Sequence, residues 1–244
     1  MTLLGRERRS RLFVLLAGLL FLAIFALQYH DLAGDSDVWW HMQYGEEVVR
    51  NLDWTQHHDA WSWTEADGSW WYVSWFAGVA LFAMHEAFGP WGITLLQSAL
   101  FLAVAGLYLQ LVRRRGGVGV ADMLLLALVF MAIRPAAAQP KAEMFSVFFF
   151  GLTVWVYVDA RMSGRDRFWL LPLVFWAWVN AHGAGLVPLL LLGALVTGET
   201  VARRTGTALD PRTYRRLLIF GGLAVIATAV NPEGPGRVLE GLRS

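Results

Sequence analysis

The sequence predicts an all-α fold: a polytopic transmembrane helix bundle of about seven spans, with a large first extracytoplasmic loop carrying interfacial helices. Three observations predict it. Of 244 residues, 57% are hydrophobic and 16% charged, and the mean hydropathy is +0.46, more apolar than a soluble domain of this size. Apolar runs recur along the chain between short polar segments. Fifteen of the twenty Lys and Arg residues fall in alternate segments between those runs, as the positive-inside rule requires. A net charge of +1 gives no reason to expect a nucleic-acid partner, and the lack of cysteine excludes disulfides, thiolate nucleophiles and cysteine metal sites.

The elements follow in order. Arg6, Arg8, Arg9 and Arg11 precede an apolar run. Residues 12–28 read as span 1, an uncleaved signal anchor with its N-terminus cytoplasmic, because no small-x-small cleavage site follows. Residues 29–90 form the extracytoplasmic loop. Within it Asp37 to Asn51 is expected as an interfacial helix, with Val38, Met42 and Val49 toward lipid and Glu46, Glu47 and Arg50 toward water. Trp75 to Phe88 is apolar but short, interrupted by His85 and Glu86 and stopped by Gly89-Pro90. If it crossed, Arg113 to Arg115 would lie outside and the charge bias would fail, so it reads as a second interfacial or re-entrant helix.

Residues 91–230 hold spans 2 to 7, built on Trp91 to Leu111, Val118 to Ile133, Met144 to Val158, Phe168 to Val179, Leu186 to Val201 and Leu217 to Val230. Several fall short of the roughly 20 residues a straight span needs, so semi-polar residues must complete their ends. Residues 231–244 become an external tail, expected to be truncated, and the whole chain is one transmembrane module.

This topology gathers polar groups on one face. Asp35, Asp37 and His41 follow span 1; Arg134-Pro135 ends span 3; Lys141 and Glu143 open span 4; Asn180 and His182 end span 5; Asn231-Pro232 ends span 7. Polar groups at membrane depth are costly and persist mainly where they pair or line a cavity. Helix caps and turns are the plainer account of each motif alone. Asp37 and His41, four apart, share a helix face. They could be a base and its orienting partner, half a metal site, or a surface pair. A metal would need Asp35, His57, His58 or Asp59 besides. The His57-His58-Asp59 stretch reads rather as a turn capped by Asp59 and Ser62.

In order, D-x-D-x-W-W-H, G-E, D-x-x-S-W-T, a tryptophan-rich G-x-W, basic-x-E-M-F-S, W-x-N-x-H-G and N-P-x-G run from Asp35 to Gly234. This series resembles a group of uncharacterised bacterial polytopic membrane proteins that look like glycosyltransferases of the GT-C superfamily. The resemblance implies a GT-C-like module in the bacterial inner membrane, with the end of this chain extracytoplasmic. It implies transfer of a hexose or pentose from a polyprenyl-phosphate donor at the outer leaflet, often with inversion, for the cell envelope. By the same resemblance Asp37 takes the place of the first-loop acid, the base on the acceptor hydroxyl. Asp35 completes the acidic pair, and His41, Asn180 and His182 match the signature. Two positions depart from the pattern: Val73-Ser74 stand where His-Glu is usual before Trp75, and Lys141-Ala142 where a basic-Pro step is usual before Glu143.

For such a reaction the leaving phosphate needs cations and the acceptor needs a base. Arg134 and Lys141 are the candidates for the phosphate, with interfacial anchoring as the alternative. Glu143, Asn180, His182 and Asn231 complete the substrate set, and Trp39, Trp40, Trp70 and Trp71 could wall the sugar or merely anchor the protein. The expected partners are a lipid-linked sugar donor, membrane lipids, and an acceptor glycan, lipid or protein. No cofactor is expected beyond a divalent metal, for which Asp35, Asp37 and His41 are the candidates. Two other classes stay open. A transporter would place its site near the midplane, where the sequence offers only Glu199 and Asp122, both near the inner end; a non-catalytic assembly or scaffold protein would suit the Val73-Ser74 departure.

Overall fold

A computed structural model describes residues 36–55, 71–137 (side chains through 133) and 140–236, with single positions in 12–23. Every regular element among the described residues is helical. The described positions in 12–23 are helical too. The helices are α1 (Asp37–Asn51), α2 (Trp75–Phe88), α3 (Pro90–Arg114), α4 (Val120–Ala137), α5 (Glu143–Ser163), a 3₁₀ turn (Phe168–Leu170), α6 (Leu171–Ala181), α7 (Leu186–Arg204) and α8 (Pro211–Ala227). Three of them, α3, α5 and α7, are long and apolar enough to cross a membrane. The chain therefore has the character of a membrane protein. Leu95, Leu102, Leu124, Leu128, Leu190 and Ile226 are exposed on its helices, which suits a lipid surround.

Each apolar run from Trp91 onward carries a helix, but the helix bounds differ from those of the runs. α8 starts at Pro211, well before Leu217, because Asp210 caps it by accepting from the backbone N–H groups of Arg212 and Thr213 and Pro211 pre-sets the first turn. Gly89, at φ +61°, breaks α2 from α3, and Pro90 opens α3 at once. Helix α5 is central: it packs on α3 and α6, and Phe145, Phe149, Thr153, Val156 and Asp159 are buried along it.

Helices α1 and α2 are docked on each other. α1 crosses α2 where Gly45 meets Gly78, so closely that a Cβ on Gly45 would lie 2.1 Å from the Gly78 carbonyl oxygen. Only glycine permits such an approach. The expectation that Val38 and Met42 face lipid is corrected: both are buried, 2% and 7% exposed, in the core that includes Ala77 and Leu81 of α2. Val49, by contrast, is exposed. Periodicity located the apolar face of α1, and a second helix covers most of it.

Two ends of the bundle differ in chemistry. At one, the C-terminus of α3 meets that of α5: Arg114 ion-pairs with Asp159, which also takes Arg167. There Arg161 of α5 grips Glu199 of α7, and Arg216 of α8 pairs with Asp166. Asp159 and Glu199 are fully buried. Buried carboxylates persist only when paired and hydrogen-bonded; Glu199 also accepts from the Tyr157 hydroxyl at 2.6 Å and the Leu209 N–H at 2.9 Å. At the opposite end the signature residues collect.

Candidate functional site

The site is built from three contacts at the end away from the paired arginines. The first joins α1 to the segment before α2. His41, 6% exposed, places Nδ1 2.8 Å from the Tyr72 hydroxyl, and Tyr72 stacks on Tyr44 with centroids 4.5 Å apart. Burial pushes the Tyr72 hydroxyl well above its ordinary pKa, with neighbouring Tyr44 adding to the rise. The tyrosine therefore stays a neutral hydrogen-bonding group. Trp40 links Asp37 to His41: its indole N–H donates to Asp37 Oδ1 at 3.1 Å, and its ring stacks on the imidazole at 4.1 Å. The i, i+4 pair thus shares one face with the indole lying along it.

The second contact ties α2, α6 and the segment after α8. Trp75 donates its indole N–H to Asn180 Oδ1 at 2.7 Å. Asn180 in turn donates to the carbonyls of Trp176 and Val230, at 2.8 and 2.9 Å. It is fully buried. Both donors of its amide are used inside the fold, so it holds three elements together. Asn231 behaves alike: it donates to the Thr228 and Gly234 carbonyls and accepts from the Glu233 N–H. It shapes the Asn-Pro-Glu-Gly turn.

The third contact joins α5 to the end of α6, two residues past Asn180. Trp178 donates to Ser146 Oγ at 2.8 Å, and Ser146 Oγ lies 2.7 Å from His182 Nδ1. Ser146 thus bridges the Trp178 indole and His182 Nδ1, and the other ring nitrogen, Nε2, faces Glu143 Oε1 at 3.9 Å. Lys141 Nζ sits 3.3 Å from the same carboxylate oxygen. Lys141 therefore reaches a phosphate only as a cation already paired with an acid.

An apolar groove of about 470 Å³ adjoins the second of these contacts, lined by Val48, Leu52, Trp54, Trp75, Trp176 and Val230 among others. Trp75 and Val230 belong both to the groove wall and to the Asn180 link. The link therefore sets the groove's width.

Of the expected site residues, Asp37, Trp40 and His41 lie together on α1, with Trp39 exposed beside them. Lys141, Glu143 and His182 lie together at the start of α5. Trp71 is among the described residues; Asp35, His57, His58, Asp59 and Trp70 lie outside them. Arg134 falls on α4, its side chain outside the described set. Among the described residues no three His, Asp or Glu side chains are grouped to hold a metal ion, so the metal candidates reduce to Asp37 and His41 with Asp35 unplaced. Tyr72, Ser146 and Trp178 carry the geometry but were not predicted from the sequence. Ser146 was legible in principle, three residues after Glu143 and so one helical turn on. Val73 and Ser74, where the resembled group has His-Glu, are buried, 9% and 7% exposed, at the start of α2 beside the Trp75 link. The chain matches no protein-family model, no curated protein and no solved structure.

Proposed function

We propose that the protein is a membrane glycosyltransferase of GT-C type, taking a sugar from a polyprenyl-phosphate donor at the extracytoplasmic leaflet. The observation that carries this reading is the apolar groove whose walls, Trp75 and Val230, are held by Asn180, two residues before His182 of the Glu143–His182 cluster. A groove with an apolar lining, at the same end of the bundle as a cluster of charged groups, suits an amphiphile with a long apolar tail and an ionic head. The seven-span arrangement with a cytoplasmic N-terminus belongs to the same proposal. It is supported by the Arg114–Asp159–Arg167 contact, which puts Arg113 to Arg115 at the same end as the arginines after α5.

In this reading Asp37 takes the proton of the acceptor hydroxyl. The hydroxyl oxygen bonds to the sugar's anomeric carbon as the bond from that carbon to the phosphate oxygen breaks, and the lipid phosphate leaves with the electron pair. Lys141 and Arg134 offset its charge. Wild-type membranes should transfer label from a polyprenyl-phosphate sugar to an acceptor. A folded protein that neither turns over nor binds that donor would make it a non-catalytic assembly protein. One observation favours that second reading: Asn180, Asn231 and His41 are buried and hydrogen-bonded within the fold.

A further inference from the structure

The arginine end carries more positive charge than the ion pairs of the fold use up. Between Pro90 and Ala227 it holds eleven arginines, no lysine and five acids, a net of six positive charges. Each acid is taken up by the fold. Asp159 and Glu199 are buried in ion pairs, and Asp166 pairs with Arg216. Asp210 caps α8, and Asp122 accepts from the Gly119 N–H. Arg114, Arg161, Arg167 and Arg216 are their partners. Arg204, Arg212 and Arg215 are exposed and form no ion pair with any described acid. Among the described residues the one exposed acid at this end, Asp210, is engaged by the N-terminus of α8.

Their placement is specific. α7 and α8 are tied at this corner, where the Arg203 guanidinium lies 3.9 Å over the Tyr214 ring and the Thr200 and Tyr214 hydroxyls are 3.3 Å apart. On α7, Arg204 lies one turn beyond Val201, which is 55% exposed. On α8, Arg215 lies one turn before Leu218 and Ile219, 44% and 48% exposed. Residues three and four apart share a helix face, so each helix offers a cation followed by open apolar surface.

We infer that the α7–α8 corner binds an anionic phospholipid, its phosphodiester headgroup on Arg204, Arg212 and Arg215 and an acyl chain along Val201, Leu218 and Ile219. Guanidinium forks match phosphate oxygens in a way an ammonium does not, and a bilayer supplies this ligand at the level where these helices end. The inference rests on the membrane arrangement proposed above but not on the transferase activity.

Native mass spectrometry of the full chain, exchanged against phosphatidylglycerol or phosphatidylcholine, tests it. Wild type should retain phosphatidylglycerol preferentially, and the preference should weaken with salt. Arg204→Gln/Arg212→Gln/Arg215→Gln should lose about tenfold or more of it. These arginines form no described ion pair, so the thermal midpoint should hold; Arg215→Gln alone, with a smaller loss, serves if the triple variant does not fold. Equal retention of the two lipids by wild type, or an unchanged preference in a folded variant, overturns the inference. So does inorganic phosphate displacing the lipid at equal concentration, which would reduce the site to a bare anion contact.

Discussion

Trp75 Nε1 donates to Asn180 Oδ1 at 2.7 Å across 105 positions of sequence, and the same indole forms a wall of the apolar groove. One hydrogen bond thus fixes both the packing of α2 on α6 and the shape of the cavity. Trp75→Phe keeps much of the ring volume but leaves a buried carbonyl oxygen without its donor. A loss of about 1–3 kcal/mol is expected, read as a lower thermal midpoint in detergent. In the double variant Trp75→Phe/Asn180→Leu the two losses should be less than additive, since they remove the same contact.

The α1–α2 crossing gives a sharper contrast. A Cβ at Gly45 would meet backbone atoms of Gly78 and Val79 at 2.1 to 2.7 Å, whereas one at Gly106 of α3 would have no neighbour within 4 Å. Gly45→Ala must force the helices apart and should cost about 1–3 kcal/mol or more. Gly106→Ala should be neutral or slightly stabilising through helix propensity. Equal midpoints for the two variants would contradict the docked position of α1.

Asp159 carries the opposite end. It is fully buried between Arg114 and Arg167, whose side chains are 23% and 32% exposed. Breaking a buried pair typically costs 3–5 kcal/mol, and solvent at the two arginines moves the expectation to the low end, about 3 kcal/mol. Asp159→Asn should therefore lower the yield of folded protein and its midpoint more than Asp166→Asn, whose partner Arg216 is 49% exposed.

Tyr72 supplies a pH signature. Its hydroxyl titrates above the ordinary value of 10.0 in the fold because of burial. The unfolded chain therefore releases this proton first as pH rises. The contribution is fully present below about pH 10, declines from there, and is lost as pH passes the folded value. Thermal midpoints between about pH 9 and 11 should fall more steeply in wild type than in Tyr72→Phe. The variant should also be less stable at neutral pH, having lost the contact to His41 at 2.8 Å.

Much of the helix order was legible because apolar runs announce themselves: each run from Trp91 onward carries a helix. The pairing inside the bundle was not. Asp159 sits at the edge of an apolar run and reads as an ordinary helix-end acid until Arg114, 45 positions earlier, is brought to it. Ser146 looks like a polar residue in a span until Trp178 and His182 approach from α6. The asparagines show the same limit. Asn180 and Asn231 were singled out by their place at helix ends, and nothing in the sequence shows that their amides serve the carbonyls of neighbouring turns. Spacing reveals which residues share a face of one helix; which face meets which neighbour is decided by packing between helices distant in sequence.

The central claim is that Asp37, held by Trp40 on the face it shares with His41, is the base for sugar transfer. Asp37→Asn keeps shape and packing and removes basicity, which for a general base typically costs about 10²- to 10⁴-fold in rate. The decisive measurement is label transfer from a polyprenyl-phosphate sugar by membranes carrying wild type or Asp37→Asn, with donor binding followed in parallel. The account predicts that transfer falls to background in the variant while the donor still binds. Transfer at the wild-type rate in Asp37→Asn would contradict it.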